Sequence, residues 1–400
     1  MSARPIDEPH RASSQLELLF DLTFVVAVAS VTAQLAHSIA DGHGLAGLLP
    51  FLQVFFSIWW AWMNFTWFAS SYDTDDVAYR LLTMVQMAGV LTLAAGVPAA
   101  AGHSDYGIIT LGYVIMRIGL VAQWLRAGVE DPARRRTALR YAAAISLLTM
   151  GWVLRFLLAE TGALPSFSGL PLIICLDVLE LAVPLWAERP RATTWHPHHI
   201  AERYGLFTII LLGESVLAVS RGVEGALEAG EIRGPFVVIA GCGLVLLFAL
   251  WWLYFLVQAG EGLSDRRHRS YLWGYGHYGI FAALAALGAG LEVAVEQSGR
   301  EVEASSLALG YAVAIPVGVF LTLLRAVHAL VVAEAVIYPA AVLGCVTLIL
   351  LLPLATPWIG MAAVVAAITA ICVLLLAVTI TTAAARARRQ GPQPSSSGES

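Results

Sequence analysis

Apolar stretches long enough to cross a bilayer follow one another through nearly the whole 400-residue chain, with only short polar breaks between them. A bilayer core needs ~20 apolar residues per helical span, and a water-soluble fold has no interior large enough to hide so many. Only 13% of the residues are charged and 58% are hydrophobic, whereas ordinary soluble domains carry about 25% charged residues. The chain therefore reads as an all-α polytopic membrane protein. Taken run by run, the pattern predicts twelve transmembrane helices: Leu16–His37, Ala46–Ser70, Tyr79–Ala101, Tyr106–Arg126, Arg140–Leu158, Gly169–Trp186, Ile200–Ser220, Pro235–Gln258, Tyr271–Val295, Leu307–Arg325, Val332–Leu352 and Trp358–Thr382.

The expected organisation is a polar N-terminal tail over 1–15, a six-helix half over 16–199, a second six-helix half over 200–384 and a disordered tail over 385–400, rich in Arg, Pro and Ser. The first apolar run carries Glu17 and Asp21, which a cleavable signal core of about 7 to 15 residues does not tolerate, so it is read as a membrane helix. Cys175, Cys242, Cys345 and Cys372 lie inside apolar helices without ligand-like spacing and read as packing residues. There is no phosphate loop, nucleotide fingerprint, catalytic triad or heptad seam. No cofactor, metal or nucleic-acid partner is implied. The expected partners are the lipid bilayer and an unidentified small solute or ion; the oligomeric state is left open.

All 23 basic residues are arginine, and their placement orients the chain. Positive charge is retained on the cytoplasmic side during insertion. Arg155, Arg221, Arg233 and Arg300 fall on one side, Arg117 lies within a helix, and all the others fall on the opposite side. Both termini are thus expected in the cytoplasm of a bacterial cell, the chain being multi-pass in its inner membrane. The halves also echo each other: Trp59-Trp60 returns as Trp251-Trp252, Leu111-Gly112-Tyr113 as Leu309-Gly310-Tyr311, and Leu125-Arg126-Ala127 as Leu324-Arg325-Ala326. In order, these echoes predict a 6+6 parallel internal repeat about an axis along the membrane normal.

Chemistry is sought where charge enters the membrane, because an ionised side chain at a helix centre costs at least ~2.5 to 3.5 kcal/mol and faces the bundle interior. Glu17 and Asp21 share one face of the first helix. Arg117 lies at mid-depth in the fourth, Asp177 and Glu180 share a face of the sixth, and Glu202 and Arg203 begin the seventh. Glu214 follows about 18 Å deeper, His277 lies in the ninth helix and Glu334 in the eleventh. Asp21, Arg117, Asp177, Glu180, Glu214 and His277 form the candidate transport, ion or substrate site. Mid-depth carboxylates outnumber Arg117, so some must be protonated, paired with His277 or hydrated, which favours proton or cation handling. The alternative is that each is an ordinary interhelical hydrogen-bond partner.

Two polar runs flank these helices. Tyr72-Asp73-Thr74-Asp75-Asp76, followed by Arg80, has the look of an Asp-rich magnesium and diphosphate motif, although acidic residues at a helix start also simply cap it. Trp195-His196-Pro197-His198-His199 gathers three imidazoles, a common kind of transition-metal ligand, but is expected to be a solvated loop. The aromatic cluster of Trp59, Trp60, Trp62, Trp67 and Phe68 is expected to anchor helix ends at the membrane interface.

Three runs carry a family resemblance: ELLFDLTFVVAV over Glu17 to Val28, WWAWMNFTWFASSYDTDDVAYRLL over Trp59 to Leu82, and HIAERYGLFTIILLGESVLAV over His199 to Val219. Together they resemble the bacterial low temperature requirement A (LtrA) family, over roughly helices 1 to 10. The resemblance implies a multi-helix membrane protein linked to growth in the cold. Its motifs pick out Glu17, Phe20, Asp21, Asp73, Asp76, Arg80, Glu202, Arg203, Gly213 and Glu214, a set that includes a cytoplasmic cluster of Glu17, Phe20, Asp73, Asp76, Arg80, Glu202 and Arg203. What it implies concerns topology more than a reaction.

Three functions follow from these features. The first is a proton- or ion-coupled small-solute transporter with a central charged site between the halves. A second is a membrane-embedded enzyme acting on a lipid or isoprenoid diphosphate, with Asp73, Asp75 and Asp76 on magnesium and Arg80 and Arg203 on phosphate; the balance leans away from an enzyme. The third is a cation channel, because Leu19-Phe20-Asp21 stands where a duplicated six-helix potassium-channel family has Phe-Ser-Asp, though no second copy appears at Leu206.

Overall fold

The computed structural model describes residues 4–5, 8, 11–103, 105–164, 169–228, 234–297, 302–332 and 336–390. These residues form helices and connections, with no strand among them. In chain order the helices are α1 (Gln15–Ala40), α2 (Gly44–Tyr72), α3 (Val77–His103), α4 (Gly107–Glu130), α5 (Arg135–Glu160), α6 (Gly169–Ala187) and α7 (Pro197–Glu228). There follow α8 (Gly234–Phe255), the short α9 (Ala259–Asp265), α10 (Ser270–Glu296), α11 (Ser306–Val331), α12 (Pro339–Leu351), the one-turn α13 (Thr356–Ile359) and α14 (Met361–Gln390).

Among the described residues twelve helical spans are long and apolar enough to cross a membrane, one of them running through α8 and α9 and one from α12 through α13. Exposed Leu22, Leu147, Met150, Leu154 and Leu374 stud their outer surfaces, as expected where the solvent is lipid. Pro50, Pro98, Pro184 and Pro316 sit inside helices, a placement that membrane helices tolerate when neighbours re-satisfy the backbone. Most boundaries differ from the sequence reading by a few residues, with α5 starting at Arg135, α7 reaching Glu228 and α11 reaching Val331, and two of the larger shifts have a local cause. The eleventh span starts at Pro339 instead of Val332, because Pro at the first helical turn fixes the start. The last helix continues past Ala385 to Gln390, since its Ala-rich end has high helix propensity. The remainder of the tail, Glu334, Arg233 and Arg300 lie outside the described residues.

The chain forms two compact units: 1–38 with 43–214, and 39–42 with 215–400. Two of the three dividing points fall inside α1 and α7, and the third lies in the connection from α1 to α2. In the first unit the interior is aromatic, with Phe55, Trp59, Trp60, Trp62, Phe65, Phe68, Tyr79 and Tyr204 all fully enclosed. The expectation of interface-anchoring tryptophans is thereby corrected: Trp59, Trp60 and Trp62 fill the core, and the indole N–H groups of Trp60 and Trp62 serve buried acceptors. Beside them α3 and α4 approach closely at Gly89 and Gly112, where a Cβ on Gly112 would lie 2.6 Å from the Gly89 carbonyl oxygen. Small residues allow such contacts where lipid supplies no hydrophobic drive between helices.

In the second unit α10 is the most enclosed helix, with Gly288 to Leu291 buried. Here α8 and α14 are joined by Thr369, whose hydroxyl donates to the Cys242 carbonyl at 3.0 Å. The four cysteines are free thiols.

Candidate functional site

The first turn of α1 is built by a capping box, in which Ser14 and Glu17 bond reciprocally. The Ser14 backbone N–H donates to Glu17 Oε2 at 2.7 Å, and the Glu17 backbone N–H donates to Ser14 Oγ at 3.3 Å. This fixes the Glu17 side chain, and Asp21 lies one turn further along the same face. At the start of α7, His199 and Arg203 repeat the i, i+4 spacing. The two pairs meet: His199 Nε2 lies 2.9 Å from Glu17 Oε1, Arg203 Nη1 3.7 Å from the same oxygen, and Arg203 Nη2 2.7 Å from Asp21 Oδ1.

Neighbouring elements complete the enclosure. Trp62 of α2 donates its indole N–H to Asp21 Oδ1 at 2.8 Å, and Thr66, one turn on, accepts from Arg203 at 3.5 Å. Arg11, ahead of α1, lies 3.8 Å from Glu17 and 3.6 Å from Asp73. Glu17, Asp21, Asp73, Arg11, His199 and Arg203 are all buried, Arg203 completely. The cluster gathers the carboxylates of Glu17, Asp21 and Asp73 with the guanidiniums of Arg11 and Arg203, and Arg4, itself paired with Glu8, lies 3.9 Å from Asp73 at its edge. Burial pushes the Asp73 carboxyl up from its ordinary value, reinforced by Glu17 and opposed by Arg11 and Arg4. Phe20, one residue before Asp21 on α1, is buried and tilted against Phe65 of α2 with ring centroids 3.9 Å apart.

A second polar group lies between α4, α6 and α2. Arg117 Nη2 is 3.0 Å from Glu180 Oε1 and donates to the Tyr113 hydroxyl, while Trp60 donates its indole N–H to Glu180 Oε2 at 2.9 Å. Asp177 sits one turn before Glu180 and is only half-buried. The predicted charged set is thus divided in the first unit. Asp21 pairs with Arg203, and Arg117 pairs with Glu180. Glu214 is buried further along α7. In the second unit, His277 Nδ1 is 2.8 Å from the Trp273 carbonyl and Nε2 is 3.1 Å from the Tyr254 hydroxyl. A carbonyl only accepts, so Nδ1 carries the proton and Tyr254 donates to Nε2 in the neutral ring.

The Asp-rich corner between α2 and α3 faces arginine rather than a common point. Asp73 faces Arg11, Asp75 holds Arg80 at 2.7 Å on the surface, and Asp76 holds Arg126 in a two-pronged pair at 2.7 and 2.6 Å. Asp76 also caps α3 by accepting the Tyr79 N–H at 2.9 Å. These donors hold the Asp76 carboxyl well below the usual carboxylate range, and Arg80 lowers Asp75 likewise. Asp75 has positive φ, the one strained position of a tight corner. Among the described residues no group of His, Cys, Asp or Glu is arranged to hold a metal. Glu202 is exposed and accepts the Ser13 N–H at 3.4 Å, so Arg80, Asp76, Glu202 and Arg203 do not share one cavity wall.

The expectation of a solvated His run is corrected as well. His196 and His199 are buried and His198 alone is exposed, because Pro197 opens α7 and turns alternate imidazoles inward. Neither composition nor spacing shows that the Trp60 and Trp62 indoles and the His199 ring face carboxylates from another helix. The SxxE signature at Ser14 was legible and gives the placement of Glu17.

A cleft of about 290 Å³ opens at the far end of α1, lined by Val31, Gln34, Ser38, His43, Pro50 and Val97 among others. None of the predicted charged residues lines it. It begins about 15 Å along α1 from Asp21, and buried Phe24 and Val28 occupy the same helix face in between.

The sequence profile described as bacterial low temperature requirement A protein matches residues 12–380. An uncharacterized protein of Rhizobium meliloti (strain 1021) is 29% identical over 288 aligned residues, spanning 67% of this chain and 66% of that relative, just under two thirds of its length. No solved structure matches the chain. With the profile running from ahead of α1 into α14, and with all three motif runs inside it, the chain belongs to the bacterial low temperature requirement A family of multi-pass membrane proteins.

Proposed function

We propose that this membrane protein is a proton- or ion-coupled small-solute transporter of the bacterial inner membrane, with both termini cytoplasmic and its helices arranged as two like-oriented halves. The observation that carries this reading is the enclosed cluster of Glu17, Asp21, Asp73, Arg11, His199 and Arg203. Burying several charges serves stability poorly, since well-packed apolar residues do as well or better, and intramembrane charges are a hallmark of ion and proton relays. An α1 face that runs from this cluster, past Phe24 and Val28, to an open cleft suits a pathway closed at one end. The diphosphate-enzyme reading loses its magnesium ligands to Arg11, Arg80 and Arg126.

The test uses the full-length protein reconstituted in liposomes loaded with a pH-sensitive dye and energised by a potassium diffusion potential. Panels of amino acids, sugars, carboxylates and metal cations are added outside. Solute-dependent acidification or alkalinisation that is lost in Asp21→Asn supports the proposal. Wild-type protein that moves neither protons nor any panel solute sinks it.

A further inference from the structure

We propose that the corner where α5 begins and α6 ends binds the phosphate headgroup of an anionic glycerophospholipid, with Arg135, Arg136, Arg140, Arg189 and Arg191 supplying the guanidiniums. The site lies wholly within the first unit and does not depend on the transport reading.

Two connections meet there. α4 passes to α5 through Asp131 and Arg134, and α6 passes to α7 through a stretch that holds Arg189 and Arg191. Hydrogen bonds strap the second connection onto the first turns of α5. Thr137 donates its hydroxyl to the Arg191 carbonyl at 2.7 Å, Arg134 Nε donates to the Ala192 carbonyl at 3.3 Å, and Arg140 Nη1 donates to the Trp186 carbonyl at 3.2 Å. The Tyr141 hydroxyl adds a fourth tie, donating to Glu188 Oε1 at 3.2 Å. Arginines that only orient a chain during insertion need no common neighbour. Here the ties bring guanidiniums from two distant stretches of sequence to one corner.

Little of their charge is compensated. Asp131 is taken by Arg134 at 3.3 Å and by the Tyr72 hydroxyl at 3.1 Å, and Glu130 is taken by Arg126 at 3.0 Å. Glu188 is engaged by the neutral hydroxyls of Tyr141 and Thr193. Arg135 spends its Nε on the Gly128 carbonyl at 2.9 Å. Arg136, Arg189 and Arg191 are exposed, and their side chains pair with no carboxylate among the described residues. With Arg134 included, six guanidiniums stand against Asp131 and Glu188, a net charge of plus four.

The corner sits at a bilayer boundary. It is formed by the ends of two membrane spans, Arg135–Glu160 and Gly169–Ala187, and α5 is the least enclosed of the twelve, so most of its surface meets acyl chains. Trp186 is 42% exposed, with the Arg140 guanidinium 4.9 Å over its ring. An indole at a span end sits at headgroup depth, and a guanidinium on its face is held at the same level. Leu139 and Leu185, next to Arg140 and Trp186 in the chain, are exposed as well and offer apolar surface to the tails of the same lipid. Positive charge beside hydrocarbon suits a phosphodiester that carries its own acyl chains. Basic clusters at the end of a membrane helix attract anionic headgroups, and the guanidinium fork matches phosphate oxygens two at a time.

The experiment is native mass spectrometry of the full-length protein in a neutral detergent, titrated with phosphatidylglycerol or with phosphatidylcholine of the same acyl chains. Expected is retention of phosphatidylglycerol by the wild type at concentrations where phosphatidylcholine is lost. The triple variant Arg136→Gln, Arg189→Gln and Arg191→Gln should bind phosphatidylglycerol at least about ten-fold more weakly. The charge-matched control Arg266→Gln, Arg267→Gln and Arg269→Gln, ahead of α10, should bind it as the wild type does. Equal retention of the two lipids by the wild type overturns the proposal, and so does equal weakening in both triple variants, which reduces the effect to diffuse charge. Full displacement of the lipid by an equal concentration of inorganic phosphate makes the ligand a free anion and overturns it too. Should the first triple variant fail to fold, cross-linking of the wild type to phosphatidylglycerol with a photoactivatable acyl chain decides: label on α5 and α6 around Leu139 and Leu185 supports the site, and label confined to other helices overturns it.

Discussion

Asp21 on α1 and Arg203 on α7 are 182 residues apart in the chain and 2.7 Å apart in space, each enclosed by protein. The pair ties the start of the first membrane helix to the start of the seventh. Trp62 donates to the same carboxylate oxygen from α2, so three helices converge on one atom. A lone ionised group here would carry the full desolvation penalty, and that asymmetry makes the pair a sensitive place to cut.

Arg203→Met leaves Asp21 and Glu17 short of a counter-charge and should lower stability by about 3 to 5 kcal/mol. The double variant Asp21→Leu with Arg203→Met should lose less than the sum of the two single changes. Thermal unfolding of the detergent-solubilised full-length chain, run as a double-mutant cycle, checks this. Additive losses would mean the two side chains do not interact.

Arg117 and Trp60 both serve Glu180, one with a charge and one with a neutral N–H. Arg117→Met should therefore cost about 3 to 5 kcal/mol, and Trp60→Phe, which keeps the ring but drops the donor, about 1 to 3 kcal/mol. The same unfolding measurement ranks them. A Trp60→Phe loss larger than that of Arg117→Met would show that Trp60 matters for packing more than for its indole N–H.

Gly112 and Gly213 make opposite predictions. A Cβ at Gly112 would press on the Gly89 carbonyl of α3, so Gly112→Ala should destabilise by about 1 to 3 kcal/mol through overpacking. A Cβ at Gly213 meets nothing within 4 Å, and Gly213→Ala in a helix interior should stabilise by about 0.5 to 1 kcal/mol. If Gly213→Ala abolishes flux while the protein gains stability, that glycine serves movement of α7 and not its folding.

The corner between α2 and α3 should resist acid. The Asp76 carboxyl is held below its ordinary value by Arg126 and the Tyr79 N–H, so its contribution is present above the unfolded-state value and is lost only as pH falls through the lower folded-state value. Amide exchange at Tyr79 and Arg80 should stay slow through mildly acid pH and accelerate only below the ordinary carboxylate range. In Asp76→Ala exchange there should be fast at every pH, with a cap loss of about 0.5 to 2 kcal/mol. Acceleration already near neutral pH in the wild type would contradict the assignment.

The twelve spans were legible in the sequence because a bilayer imposes length and hydropathy on every helix separately. Each run of apolar residues carries its own evidence, and no knowledge of neighbours is needed. Identifying the important charges was equally local: Glu17, Asp21, Arg117, Glu180 and Arg203 stand out because charge in an apolar helix is expensive. Their grouping was not legible. Arg203 looked like a rim residue beside Glu202, yet it turns inward to Asp21 while Glu202 faces out, a difference of one position around a helix whose orientation only packing fixes. Trp59, Trp60 and Trp62 looked like interface anchors for the same reason.

Sequence by itself determined that this chain is a bundle of membrane helices with a few costly charges, since the solvent dictates that residue by residue. Only the tertiary structure decided that Asp21 belongs to Arg203, Glu180 to Arg117, and His199 to Glu17, because pairing depends on which helix faces come together across gaps of many residues, and hydropathy carries no information about that.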